Sequence, residues 1–82
     1  MGFNMNIVIL SGKLINVRYN FIYRGKHTSI AKGLIIVDGK KLLVTAIDNL
    51  ADELYRNNQS IIIVQGRIYE NNIIINSIEK IE

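Results

Sequence analysis

The 82-residue chain has no cysteine, no proline and no tryptophan, and only one histidine, His27. Without cysteine there is neither a disulfide framework nor a thiolate metal site. A lone histidine excludes a His-rich metal centre and a multi-histidine catalytic set. No apolar run approaches the roughly 20 residues of a membrane span. The opening MGFNMN has neither a basic n-region nor a cleavage pattern, so an intracellular, cytoplasmic protein is expected. No glycine-rich phosphate loop precedes a helical segment. The carboxylates form no catalytic constellation. Asp48, Asp52 and Glu53 belong to the first turns of one short helix, where negative charge suits the dipole, and Glu70, Glu79 and Glu82 are scattered. An enzyme is therefore not expected, nor a metal or a cofactor.

What is present is apolar and strand-forming. The hydrophobic share is 49%, high for a chain near the small end of what folds alone. One domain over residues 1–82 is expected, with some apolar side chains left to cover a partner chain. Ten Lys and Arg against seven Asp and Glu give a net charge of +3. This is compatible with nucleic acid without being diagnostic of it.

With proline absent, glycine and asparagine do the punctuation. Val8, Leu10, Gly12 and Leu14 alternate with Ile7, Ile9, Ser11 and Lys13, predicting a first strand over about Met5–Val17 that bends at Gly12. Arg18–His27 reads as a hairpin loop around Arg24-Gly25. A second strand is expected over Thr28–Val37, a turn at Asp38-Gly39 and a third strand over Lys40–Ile47. Asp48 then suits an N-cap, with its carboxylate accepting a backbone N–H. Leu50, Ala51, Leu54 and Tyr55 form a short helical stripe that ends at Asn57-Asn58. Ser60–Tyr69, broken by Gly66, and Ile73–Ile81 are the last strands, joined at Asn71-Asn72. The order β-β-β-α-β-β predicts an all-β chain with one short helix, a five-stranded Greek-key barrel of the oligonucleotide-binding (OB) type. Ile61–Val64 and Ile73–Ile75 are apolar on both faces, explained either by cover from the helix and loops or by a subunit interface.

In order along the chain, several segments resemble the bacterial-type single-stranded DNA-binding protein family. Asn6–Leu14 looks like its N-x-V-x-L-x-G-x-L first strand, and Val17-Arg18-Tyr19 like its V-R-Y segment. Gly25–Val37 is similar to its second strand, Leu50-Ala51-Asp52 to the start of its helix, and Ser60–Arg67 to its V-x-V-x-G-R strand. Ile74–Ile81 resembles the last strand. The resemblance implies single-stranded DNA as partner and a homodimer or homotetramer paired largely through the first strand, with Ile7, Ile9 and Ser11 as the interface. The departures matter. Gly33 stands where the family has a second-strand aromatic, Lys41 near a third-strand aromatic, and Ile47 where an aromatic precedes the helix. The loops around Asp38-Gly39-Lys40 and Glu70-Asn71-Asn72 are short, and the family's acidic C-terminal recruitment tail is not expected here.

Single-strand binding needs cations and stacking platforms, the latter worth ~1–3 kcal/mol per base. Tyr19, Phe21 and Tyr23 alternate with Arg18, Asn20, Ile22 and Arg24, and Lys26 and His27 follow. This segment is the densest candidate, although Phe21 plugging the barrel end and Tyr19 packing on the first strand are competing readings. Lys32 and Lys41 lie across the Asp38-Gly39 turn. Paired near each other they would repel and favour an anion, and splayed apart they would be merely solvated. Arg67 and Tyr69 extend the candidate surface, Tyr69 having a rim-packing alternative. Tyr55 reads as packing. The leading expectation is sequence-tolerant single-stranded DNA binding in replication, recombination or mobile-element DNA processing. The alternatives are an oligomerisation subunit that has lost nucleic-acid affinity, and an RNA-binding barrel.

Overall fold

A computed structural model describes residues 6–24 and 26–82, with side chains at all of these except positions 23, 24, 26 and 27. The elements are β1 (Ile7–Arg24), β2 (Lys26–Val37), β3 (Lys40–Ile47), α1 (Asn49–Arg56), β4 (Ile61–Tyr69) and β5 (Asn72–Lys80). The strands close into a barrel in the order β1-β2-β3-β5-β4. All neighbours are antiparallel except β3 and β5, which run parallel. This is the expected five-stranded barrel.

Period-two alternation sends Leu14, Ala31, Ile35, Val44, Ala46, Ile62 and Val64 inward, where they are fully buried. Ala51 and Leu54 of α1 join them and seal one end of the barrel. Each large aliphatic side chain buried this way contributes roughly 1.5–3 kcal/mol. Val8, Leu10, Leu42, Ile68, Asn71 and Ile73 line a depression of about 230 Å³ between the N-terminal half of β1, β3 and the β4–β5 hairpin.

Two glycines make the corners. A Cβ at Gly12 would run into the Ile36 carbonyl oxygen, where β1 passes from β4 to β2. A Cβ at Gly66 would run into the Ile74 carbonyl oxygen, beside a bulge in the β4–β5 ladder. Gly66 therefore bends β4 without interrupting it.

Several local expectations are corrected. Strand β1 does not stop at Val17. Between Ile15 and Arg18 it holds one residue more than β2, with Asn16 at φ 55°. Such a bulge absorbs the twist and lets the strand run on. Arg18–Arg24 then pairs with Lys26–Lys32, so the expected loop is a two-stranded arm. The Met5 start of the expected first strand and the Gly25 turn lie outside the described residues. Asp48 makes no side-chain cap at φ 57°. Its carbonyl accepts the Ala51 N–H at 2.9 Å, and its own N–H donates to the Ser29 carbonyl at 2.8 Å. The last turn is Glu70-Asn71, both at positive φ (54° and 62°), one residue earlier than expected. Helix α1 packs on β1, β2, β3 and β5 and does not cover the outer face of β4, where Ile61 is exposed and Ile63 half-buried.

Candidate nucleic-acid interface

Antiparallel and parallel partners alike point to the same side of a sheet, so registers can be followed around the barrel. Arg18 of β1 lies opposite Lys32 of β2, which lies opposite Thr45 of β3. Thr45 is opposite Ile74 of β5, and Ile74 is opposite Arg67 of β4. Arg18, Lys32 and Arg67 are exposed on the outer surface. With strands about 4.8 Å apart, the four steps from Arg18 to Arg67 span roughly 19 Å along the curved surface. Three cations thus share one rung that crosses the strands. Thr45 at its middle is buried and donates from Oγ1 to Asn72 Oδ1 at 2.9 Å.

The adjacent rung is apolar and aromatic. Leu34 faces Leu43, Leu43 faces Asn72, and Asn72 faces Tyr69, which is 70% exposed. Between the rungs lies a depression of about 320 Å³, lined by Asn16, Arg18, Lys32, Gly33, Leu34 and Leu43. The Gly33 backbone forms its floor, and a Cβ there would point inward and press on Val17 Cγ2 at 3.0 Å. Arg18 and Lys32 directly opposite one another repel, and among the described residues neither makes an ion pair. A phosphate between them would relieve that repulsion.

The remaining candidates scatter. Lys41 is exposed but faces Ile36, four residues along β3 from the partner of Lys32, or about 13 Å. Of the two readings of Lys32 and Lys41, the separated one holds, because the two-residue turn sets Val37 against Lys40 and Lys41 falls one step further on. Arg18 does not share a face with Tyr19 and Phe21. As a strand the segment alternates, and Arg18 points to the outer surface while Tyr19 and Phe21 point to the side of α1. Tyr19 packs on the helix rather than on β1. Its hydroxyl lies 2.6 Å from Asp52 Oδ1 and 2.8 Å from Ser29 Oγ. A phenol has one proton and a carboxylate can only accept, so Tyr19 donates to Asp52 and the Ser29 hydroxyl donates to Tyr19. The Tyr19 and Tyr55 ring centroids are 5.5 Å apart with planes tilted by 57°. Tyr55, read as packing, packs on Tyr19 in this way and is still 55% exposed. Phe21 is also exposed. Tyr23, Arg24, Lys26 and His27 sit in the arm by backbone pairing, and their side chains lie outside the described residues. Ile7, Ile9 and Ser11 are exposed on the outer face of β1 against Arg67, Gln65 and Ile63 of β4.

Leu34, Leu43 and Asn72 were not singled out by sequence reasoning, although the register implied by Asp38-Gly39 places Leu34 beside Leu43. Among the described residues no group of three or more His, Cys, Asp or Glu comes together, and no helix is long and apolar enough to cross a membrane.

No family model matches the chain, and no curated protein matches it. Solved structures do. The SSB domain of a Synechococcus protein superposes with a TM-score of 0.77 at 17% identity, over 96% of this chain and 99% of that one. A deletion mutant of the single-stranded DNA binding protein from Thermus aquaticus gives 0.72 at 21% identity, over 93% of this chain and 40% of that one. The chain therefore spans less than half of the Thermus aquaticus chain it matches. These neighbours agree with the resemblance in the strand motifs, and the chain has the fold of single-stranded DNA-binding domains.

Proposed function

We propose that this protein binds single-stranded DNA without strong sequence preference, across the strands of its barrel. Phosphates lie along the rung of Arg18, Lys32 and Arg67, and bases lie on the neighbouring rung of Leu34, Leu43 and Tyr69. The observation that carries this reading is the Arg18–Lys32 pair, two like charges face to face over an open depression with no carboxylate among its lining residues. The similarity in fold to single-stranded DNA-binding domains supports it. Lys41 adds charge further along β3. Base contacts through leucines and one tyrosine are weaker than stacks on several aromatics, so affinity leans on the phosphates and falls steeply with salt. On this reading the protein coats exposed strands during replication, recombination or mobile-element DNA processing, in the cytoplasm.

Exposed Ile7, Ile9 and Ile61 on the outer face of β1 and β4 favour assembly into a homodimer or homotetramer through that face. They also support a second reading, a barrel kept chiefly for its protein contacts. Fluorescence anisotropy of a labelled oligo-dT, with duplex DNA and matched RNA as competitors, separates the readings. Saturable binding that duplex fails to displace supports the single-strand function. Displacement by RNA at equal concentration moves the function to RNA. Absence of binding at low salt by folded protein leaves the protein-contact reading.

A further inference from the structure

The side of the β1–β2 arm turned away from the cationic rung carries its own site. Tyr19, Asp52, Tyr55 and Arg56 line an open depression of about 310 Å³ between β1 and α1. That is the lower end of the size range of small-molecule sites, on the scale of one base rather than a longer ligand. The site is organised before any ligand arrives. Tyr19 is fixed by its bonds to Asp52 and Ser29, and the tilted Tyr55 ring leans on it while keeping more than half of its surface in solvent. Among the described residues Asp52 accepts a side-chain hydrogen bond from Tyr19 alone, through Oδ1, and a carboxylate has about four lone-pair sites. Arg56, exposed in the last turn of α1, supplies positive charge beside it.

Among the described residues, strand β1 between Arg18 and Arg24 has a strand partner only on the β2 side, because its pairing with β4 ends at Lys13. Arg18, the end of the cationic rung, and Tyr19, the wall of the depression, are consecutive residues on opposite faces of that free edge. A single strand leaving the rung past Arg18 crosses the edge and comes down at Tyr19 and Tyr55.

We propose that this depression receives one base of the bound single strand, stacked on Tyr55, and that Asp52 makes it select bases that offer an amino group. Arg56 holds the adjoining phosphate. Cytosine presents its N4 amino group to the carboxylate, whereas uracil presents a carbonyl oxygen at the same position, which the carboxylate repels. The proposal rests on the single-strand reading above and adds a second face and a base preference to it.

The test compares labelled oligo-dC and oligo-dU of equal length, which differ at the 4-position of the base, against the wild type, D52N, Y55F and Y55A. The amide of D52N still offers an oxygen to the Tyr19 hydroxyl, so the fold is kept, while its NH2 group donates where the carboxylate accepted. The expected result is that the dC-to-dU affinity ratio falls by roughly threefold to tenfold in D52N. A uniform gain in affinity from removal of the negative charge cancels in that ratio. Y55A is expected to weaken both oligomers by roughly fivefold or more and Y55F to restore them, as a stacking platform requires. An unchanged ratio in D52N, or full affinity in Y55A, with binding otherwise intact, overturns the base pocket and leaves the single-strand reading standing. Failure of the wild type to bind either oligomer overturns both.

Discussion

Arg18 and Lys32 illustrate how a pair that weakens the fold can serve a ligand. Like charges directly opposite across two strands are unfavourable, and no acidic residue lines the depression they share. Arg18→Glu converts the pair into an attractive one. It is expected to raise stability by about 0.2–1 kcal/mol in urea unfolding and at the same time weaken oligo-dT binding. A loss of both stability and affinity would mean that the arm depends on Arg18 for packing. Tyr19 works in the opposite sense. Tyr19→Phe removes the donor to Asp52 and the acceptor for Ser29, and is expected to cost about 1 kcal/mol because the group is partly exposed. Unchanged urea midpoints would show that water replaces both bonds without penalty.

At the scale of elements, the barrel is held in shape by close approaches of backbone at its corners. Gly12→Ala sets a methyl against the Ile36 carbonyl oxygen, and Gly66→Ala sets one against that of Ile74. Each is expected to destabilise by about 1–3 kcal/mol, the cost of forcing a packed backbone apart. Thermal melts that match wild type would mean the corners open freely. Much of this level was legible in the sequence. The alternation in Ile7–Leu14, the Asp38-Gly39 turn and the helical stripe marked the elements in order, and Gly12 announced its corner. Two features were obscured for physical reasons. In Arg18–Arg24 the aromatics Tyr19, Phe21 and Tyr23 alternate with Arg18, Asn20, Ile22 and Arg24, so neither set carries the aliphatic pattern that marks a core strand, and the bulge at Asn16 shifts the phase between the two halves of β1. The composition of a loop thus hid a strand, and with it the separation of Arg18 from Tyr19 and Phe21 onto opposite faces. The Lys32–Lys41 spacing was within reach, because a two-residue turn fixes the register of the strands it joins. Arg67 joining the same rung as Arg18 was not, because the β3–β5 and β4–β5 registers arise only on closure of the barrel.

At the scale of the whole molecule, a small barrel carries outward isoleucines on β1 and β4 that meet one end of the cationic rung, with Ile7 directly opposite Arg67. The isoleucines on the β1–β4 face, with Ile9 67% exposed, fit association of copies, and the rung of cations fits a polyanion. By light scattering at low micromolar concentration the protein is expected to be a dimer or tetramer, and Ile9→Glu is expected to shift it towards monomer. A wild-type monomer would contradict the assembly and leave the binding surface unaffected. The central claim is that phosphates lie along Arg18, Lys32 and Arg67. The measurement that tests it most directly is the salt dependence of oligo-dT anisotropy for the wild type and for Arg18→Ala, Lys32→Ala and Arg67→Ala combined. Each phosphate no longer neutralised flattens the slope of log affinity against log salt by about 0.7, so the slope of the triple variant is expected to be shallower by about 2. An equal slope in both proteins would contradict the account and place the phosphates elsewhere on the barrel.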